Sequence, residues 1–313
     1  VGIDIDHAAK LLREGEIVGI PTETVYGLAG NAFDSNAVAK IFAAKDRPAF
    51  DPLIVHIGHL SQIDLLAKEI PDSVKSMLEE LWPGPLTVVL PRQSVIPDIT
   101  VSGHEKVAIR MPSQTMALEL LRNLDFPLAA PSANPFGYIS PTKAGHVIAQ
   151  LGDRIPYVLD GGDCDVGIES TIIEPMGVDC NVLRLGGLEL GKLTPYFNNF
   201  NRMLNKSSNP SAPGQLAKHY SPRKEISVFE CKEEMPESNT ASYILFDSTI
   251  EGIPGKNQLI LSKKSDLNEA ASNVFSFLRE ADEMEGNEIF ALKLPEVGLG
   301  LAINDRLHRA AAK

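Results

Sequence analysis

Short apolar runs alternate along the chain with longer segments whose apolar positions recur every three to four residues. That rhythm predicts an α/β protein. Residues 16–20 (Glu-Ile-Val-Gly-Ile) form an early apolar run, ended by Pro21. Residues 35–44 place Val38, Ile41 and Phe42 on one helical face, with Ser35 as the expected N-cap. Residues 53–57 read as a buried strand with His56 in its middle, and residues 71–81 as a helix bracketed by Pro71 and Pro83. Further strands are expected at 86–90, 107–109, 128–130, 157–159 and 170–173, and helices at 115–123 and from 142 to about 151.

The pattern changes after about residue 200. Residues 205–214 read Asn-Lys-Ser-Ser-Asn-Pro-Ser-Ala-Pro-Gly, a polar, Pro-rich stretch that predicts a linker. Beyond it, residues 226–229, 243–246, 259–261 and 289–292 predict four short strands, with helices at 267–283 and 301–312. The expected organisation is a larger domain at 1–204, a linker over 205–224 and a small α/β unit at 225–313. The length of 313 residues agrees with two domains, and no internal repeat is visible.

Composition narrows the function classes. Hydrophobic residues make up 43% and charged residues 22%, the balance of a folded protein. Acids outnumber bases 41 to 29, and the charge is −9 over residues 1–204 (25 acids, 16 bases) and −3 over the remainder (16 and 13). Neither part has the cationic excess that grips a phosphate backbone, whereas a local cationic pocket for one small anion remains compatible. The cysteines Cys164, Cys180 and Cys231 form no CxxC pair, so neither a disulfide framework nor a paired-cysteine zinc site is expected. No apolar run approaches bilayer length and the N-terminus lacks a signal-peptide pattern, so a cytoplasmic, reduced protein is expected.

The familiar nucleotide fingerprints are missing. No GxxxxGK[ST] occurs, and Gly298-Leu299-Gly300 fails as GxGxxG because Ile303 occupies the third glycine position. Four other clusters carry candidate chemistry. Pro21-Thr22-Glu23-Thr24-Val25-Tyr26-Gly27-Leu28 crowds polar residues after an apolar run, a pattern that a capped strand-to-helix turn also produces. Lys45 and Arg47 follow the 35–44 helix; an exposed helix C-terminus explains two cations, while an extended segment would aim both at one polyphosphate. Ala129-Ala130-Pro131-Ser132-Ala133-Asn134 offers a hydroxyl and an amide at the same spacing, or an ordinary Ser/Asn turn. Ser140 begins Ser-Pro-Thr, as an N-cap or beside an anion. Gly167-Ile168-Glu169-Ser170-Thr171, with Leu183-Arg184-Leu185-Gly186, completes the set, although a lone Arg after an apolar pair is ordinarily a surface residue. His56 reads by default as a satisfied core histidine.

Taken in order, these segments resemble the Sua5/YrdC family of threonylcarbamoyl-AMP synthases. The resemblance runs through 21–31, 45–56, 82–87, 131–142, 167–171 and 183–187. It continues in Pro213-Gly214, His219-Tyr220-Ser221-Pro222 and the terminal 300–311, and so fits the longer, two-domain Sua5 form. It implies a YrdC-like twisted mixed sheet with helices around a deep cavity, plus a small Rossmann-like α/β C-terminal domain. It also implies a nucleotidyltransferase that joins L-threonine, bicarbonate or CO2 and ATP, with Mg2+, releasing pyrophosphate. A downstream tRNA threonylcarbamoyl-transferase would pass the product to tRNA adenosine 37.

By the same resemblance Lys45 and Arg47 are the catalytic cations and, with Ser132 and Asn134, hold the triphosphate. Ser140, Arg184 and Tyr220 contact ATP, Tyr220 reaching back from the linker. Thr24, His56, Arg110, Ala130 and Ser170 line the threonine pocket. The family often has Asn-Pro-Leu where this chain has Asp51-Pro52-Leu53. A carboxylate beside phosphates is repulsive unless a metal bridges it, so Asp51 is left out of the expected ATP contacts. Two other readings compete: a double-stranded RNA-binding module, which the acidic charge disfavours, and a carbamoyl-transfer enzyme of the hydrogenase-maturation type, whose paired cysteines this chain lacks.

Overall fold

The computed structural model describes residues 1–48, 50–203 and 219–312; the linker expected at 205–214 lies outside the described residues. The chain opens with α1 (Ile5–Arg13), β1 (Val18–Ile20), β2 (Gly27–Asn31), α2 (Ser35–Lys45) and β3 (Ile54–His56). Next come α3 (Ile63–Leu66), α4 (Asp72–Leu81), β4 (Leu86–Pro91), β5 (Lys106–Arg110), α5 (Thr115–Arg122) and β6 (Leu128–Ala129). Then follow α6 (Ala144–Leu151), β7 (Tyr157–Val158), β8 (Thr171–Met176), β9 (Asp179–Arg184) and β10 (Asn199–Arg202).

These strands form one ten-stranded sheet in the order β10-β9-β8-β4-β5-β3-β6-β2-β1-β7, mixing parallel and antiparallel neighbours. A second, all-parallel sheet contains β11 (Glu225–Phe229), β12 (Ser242–Leu245), β13 (Gln258–Ile260) and β14 (Glu288–Leu292), ordered β11-β14-β12-β13. Two helices accompany it, α7 (Leu267–Glu283) and α8 (Gly300–Ala310). The expected twisted mixed sheet and smaller parallel α/β unit are therefore both present.

Packing joins the two sheets. The large core of the first gathers Val38, Ile41, Leu53, Val55, Leu86, Val88 and Ile109. The core around α7 and α8 includes Ile244, Phe275, Ile289 and Ile303, and it also takes in Val25, Ile139, Ile168 and Tyr220 from outside the second sheet. The junction between the units is therefore apolar and buried, and burial of such side chains is worth about 1.5–3 kcal/mol each.

The structure corrects several local expectations. The polar cluster at 21–28 is not a strand-to-helix turn: β2 begins at Gly27, so the cluster connects two antiparallel strands. Asp34, not Ser35, caps α2, its carboxylate accepting from the Asn36 amide at 2.9 Å. The helix after 142 starts at Ala144 with Lys143 as N-cap, so Ser140 caps nothing. Helix α1 and strands β9 and β10 were not expected from the pattern.

Candidate active site

One transverse row of the large sheet organises the site. His56 lies opposite Leu128 on β6 and Arg110 on β5; Arg110 lies opposite Thr87 on β4; Thr87 pairs with Ile172 on β8, and Ile172 with Arg184 on β9. Directly opposed residues point to the same face of a sheet. Three residues far apart in sequence, His56, Arg110 and Arg184, are thereby brought to one surface.

The turn at 21–26 folds over part of that row. Arg110 forms a buried ion pair with Glu23 at 2.6 Å and donates to Thr24 Oγ1 at 2.8 Å. Thr22 Oγ1 lies 2.9 Å from Thr24 Oγ1 and donates to the Val25 carbonyl at 2.6 Å, which fixes the turn. His56 Nδ1 donates to the Ile54 carbonyl at 3.2 Å. Burial, reinforced by the Arg110 charge, pushes the His56 pKa down to about 3, so the imidazole is neutral. Ser170 pairs with Thr87 through their hydroxyls at 2.7 Å. Arg184 donates to the Ser170 carbonyl at 3.0 Å and to its hydroxyl at 3.1 Å. Contrary to the surface reading, Arg184 is 7% exposed. Gly186 permits this packing, because a Cβ there would stand 2.2 Å from the Glu169 carbonyl oxygen.

The cations that end α2 are also buried, which overturns the exposed helix end expected for them. Asp46 adopts a left-handed conformation (φ 53°), so residues 45–47 form a helix cap and not the extended segment considered above. The Lys45 ammonium is inserted against the backbone carbonyls of Ser132 and Asn134. Burial, and then the neighbouring Arg47 charge, pulls the Lys45 pKa well below that of an ordinary lysine. Arg47 donates to the carbonyls of Asp51 at 3.2 Å and Pro52 at 3.0 Å, and pairs with the Asp51 carboxylate at 2.8 Å. The Asn134 amide is turned to the Pro135 and Tyr138 carbonyls at 2.8 and 2.9 Å, leaving its buried Oδ1 without a hydrogen-bond partner among the described residues.

Between these walls lies a cavity of about 50 Å³. Thr24, His56, Arg110, Ala130, Arg47, Ser132, Arg184 and Tyr220 all line it. The other residues singled out from sequence adjoin it. Lys45 and Asn134 do so through the Ser132 segment, Ser170 through Arg184, and Ser140 through a 2.6 Å hydrogen bond from its hydroxyl to the lining residue Glu169. Tyr220 is fully buried with a left-handed backbone (φ 63°), and its hydroxyl has no hydrogen-bond partner among the described residues. Neighbouring His219 also lines the cavity, and burial lowers its pKa to about 3.

Sequence reasoning gave no role to Glu23, Glu169, His219 or Arg306. Arg306 on α8 pairs with Glu169 at 2.9 Å and is 0% exposed. Its signal was available: Ala302, Ile303, Leu307 and Ala310 define a buried helical stripe, and Arg306 interrupts it. Burial opposes the Arg306 charge, but Tyr220, Glu169 and Asp305 outweigh it and hold the guanidinium more firmly protonated than usual. Burial likewise disfavours the charged Glu169, yet Arg306, Arg184 and Ser140 bring its pKa below the ordinary value.

Comparison with known proteins decides the family. The Sua5/YciO/YrdC model, described as telomere recombination, matches residues 10–186, and the model of the threonylcarbamoyl-AMP synthase C-terminal domain matches residues 184–312. The chain belongs to the two-domain Sua5 family. The threonylcarbamoyl-AMP synthase of Pyrococcus abyssi is 38% identical, with 97% of this chain and 93% of that protein covered. The synthase of Bacillus subtilis is 36% identical, with 98% and 92% covered. A crystal structure of P. abyssi Sua5 complexed with L-threonine matches with a TM-score of 0.89 at 37% identity, covering 98% of this chain and 94% of that one. Among the described residues, no helix of this Sua5-family chain is long and apolar enough to cross a membrane.

Proposed function

We propose that the cavity makes L-threonylcarbamoyl-AMP from L-threonine, bicarbonate or CO2 and ATP, releasing pyrophosphate. The observation that carries this reading is that Thr24, His56, Arg110 and Ala130 share one buried cavity with Arg47, Ser132, Arg184 and Tyr220. The near-full-length relatives are enzymes named for this synthesis, and the P. abyssi protein was crystallised with L-threonine.

The chemistry asks for what such a cavity offers. The neutral threonine amine adds to the carbon of CO2, or of bicarbonate with loss of water, and gives up a proton to leave a carbamate. A carbamate oxygen then attacks the α-phosphorus of ATP, and the bond to the bridging oxygen breaks to expel pyrophosphate. No protein nucleophile is needed; positioning and charge neutralisation supply the rate. Thr24, His56, Arg110, Ala130 and Ser170 are assigned to threonine. Lys45, Arg47, Ser132, Asn134, Ser140, Arg184 and Tyr220 are assigned to ATP, with Lys45 and Arg47 balancing charge on the departing pyrophosphate. Because a carbamate decomposes readily in water, a buried site with neutral His56 favours its survival.

A divalent cation fits as a companion of ATP. Among the described residues no group of three or more His, Cys, Asp or Glu side chains is placed to hold a metal. The Asp51 carboxylate, packed against Arg47, receives no well-aligned hydrogen bond. Mg2+ ordinarily binds through substrate phosphates with one or two carboxylates, and it would neutralise charge on the triphosphate here. The product, an activated acyl-type adenylate, would be consumed in the cytoplasm by a transferase that modifies tRNA adenosine 37.

The test is incubation with ATP, threonine, Mg2+ and labelled bicarbonate. Label should enter an adenylate, with pyrophosphate formed only when all components are present. Pyrophosphate appearing at the same rate without bicarbonate overturns the reading.

A further inference from the structure

The second α/β unit does more than pack against the first. Its helix α7 grips the segment 138–142 that contains Ser140. Arg279 donates to the Ile139 carbonyl and, at 3.4 Å, to the Ser140 carbonyl, while its guanidinium lies 5.2 Å from the Tyr138 ring centre. Asp282 accepts from the Tyr138 hydroxyl at 2.6 Å, and Ser276 pairs with Thr142 at 2.9 Å. Helix α7 also presses on the loop leading to Glu169: a Cβ on Gly167, whose φ is +74°, would sit 2.3 Å from the Ser272 Cα.

Helix α8 completes the grip. The Ser140 hydroxyl donates to one oxygen of Glu169 at 2.6 Å, and Arg306 Nε donates to the other at 2.9 Å. The same guanidinium lies 5.3 Å from the centre of the Tyr220 ring. Arg306 therefore touches a carboxylate of the first unit and an aromatic ring of the segment that joins the two units, both of which line the cavity. Burying a complete ion pair is costly and adds little to stability compared with apolar packing of the same volume. Its geometry, however, fixes direction on both sides at once.

We propose that Arg306 is a positioning residue of the nucleotide site. Through Glu169 it fixes the Ser140 hydroxyl, and through its face it fixes the Tyr220 ring, so the second unit builds part of the ATP-binding wall. This rests on the assignment of Ser140 and Tyr220 to ATP. An interface pair of purely structural importance would alter folding without distinguishing one substrate from the other.

The experiment compares full-length wild type, Arg306→Gln, Arg306→Lys, Ser140→Ala and the Ser140→Ala/Arg306→Gln double variant. Steady-state kinetics are measured against ATP and threonine separately, and affinity for a non-hydrolysable ATP analogue is measured without threonine. Arg306→Gln is expected to raise KM for ATP and weaken analogue binding by about tenfold or more, with KM for threonine within about twofold. Arg306→Lys should recover part of the loss, and the double variant should be less impaired than independent effects would give. If Arg306→Gln fails to fold, Glu169→Gln/Arg306→Met removes both charges and carries the same expectation. Parallel rises in both KM values, or independent effects of Ser140 and Arg306, would overturn the proposal. The analogue measurement reads positioning even if synthesis itself is not observed, so failure of the functional reading is seen separately.

Discussion

Arg47 Nη2 lies 2.8 Å from Asp51 Oδ2, and the two side chains are only 4% and 0% exposed. Burial raises the Asp51 pKa while the Arg47, Lys45 and Arg184 charges oppose that rise, so the carboxylate sits among cations assigned to a triphosphate. Arg47 keeps its carbonyl contacts to residues 51 and 52 if the carboxylate is removed.

Asp51→Asn should therefore tighten binding of free ATP, on the order of tenfold in Kd, by removing a negative charge behind Arg47. The gain should be smaller for Mg-ATP, which carries less charge. The variant should melt earlier, because removing one partner of a buried pair is destabilising. Calorimetric titration with and without Mg2+ checks this; unchanged or weaker binding of free ATP would sink it.

Lys45→Ala and Arg47→Ala should each lose about 1.5–3 kcal/mol of transition-state or binding stabilisation, roughly 10- to 150-fold in rate. Lys45→Ala should also lower the melting temperature, because its ammonium ties the end of α2 to the Ser132 and Asn134 carbonyls. Activity measured beside thermal unfolding separates the effects. A variant that melts early but works normally would reduce Lys45 to a structural brace.

Much of this architecture was legible in the sequence, and the gaps have physical causes. Helix α7 was readable to its ends because its apolar positions recur regularly over 17 residues and Asp266 marks the start. Strand β10 was not, since its side chains are mostly exposed and it carries little apolar alternation. Local pattern alone makes Arg184 an ordinary surface residue, because sequence cannot display the cross-sheet register that sets Ile172 against it; only the family resemblance places it at the site. Lys45 and Arg47 stand out by type and spacing as candidates only, with their role implied by the family resemblance, and the burial of Lys45 depends on the 132–134 segment, far along the chain. Glu169 and Arg306 act as a pair across 137 residues, a relation that no local window contains.

Acid stability offers another measurement. Burial holds His56 and His219 neutral, with pKa values of about 3 in the folded protein against about 6.5 for an ordinary histidine. As pH falls below about 6.5 the unfolded chain takes up these protons and the folded chain does not, so stability declines until pH approaches 3. His56→Gln should flatten the decline within that window by up to ~1.4 kcal/mol per pH unit, the amount for one proton. Denaturant titrations of wild type and variant from pH 7 to pH 4 provide the comparison. Equal slopes would mean that His56 is protonated in the folded protein.

Tyr220 gives the sharpest separation of structural from functional roles. Its ring is held against His219, Phe275 and Arg306, with centroid separations of 4.0 and 5.3 Å to the two rings and 5.3 Å to the guanidinium carbon. Its hydroxyl is buried without a hydrogen-bond partner among the described residues, an arrangement that costs about 1–3 kcal/mol. A group that contributes nothing to the ligand-free fold, yet lines the cavity, is suited to a partner that arrives with the substrate. Tyr220→Phe removes that oxygen and keeps the ring. The melting temperature should stay level or rise, while KM for ATP increases or turnover falls by about tenfold, the worth of one buried hydrogen bond. Loss of stability with full activity would instead assign the hydroxyl to the fold. A level melting temperature with full activity would show that the ring alone matters. Only the split between unchanged folding and impaired use of ATP supports a hydroxyl reserved for the nucleotide.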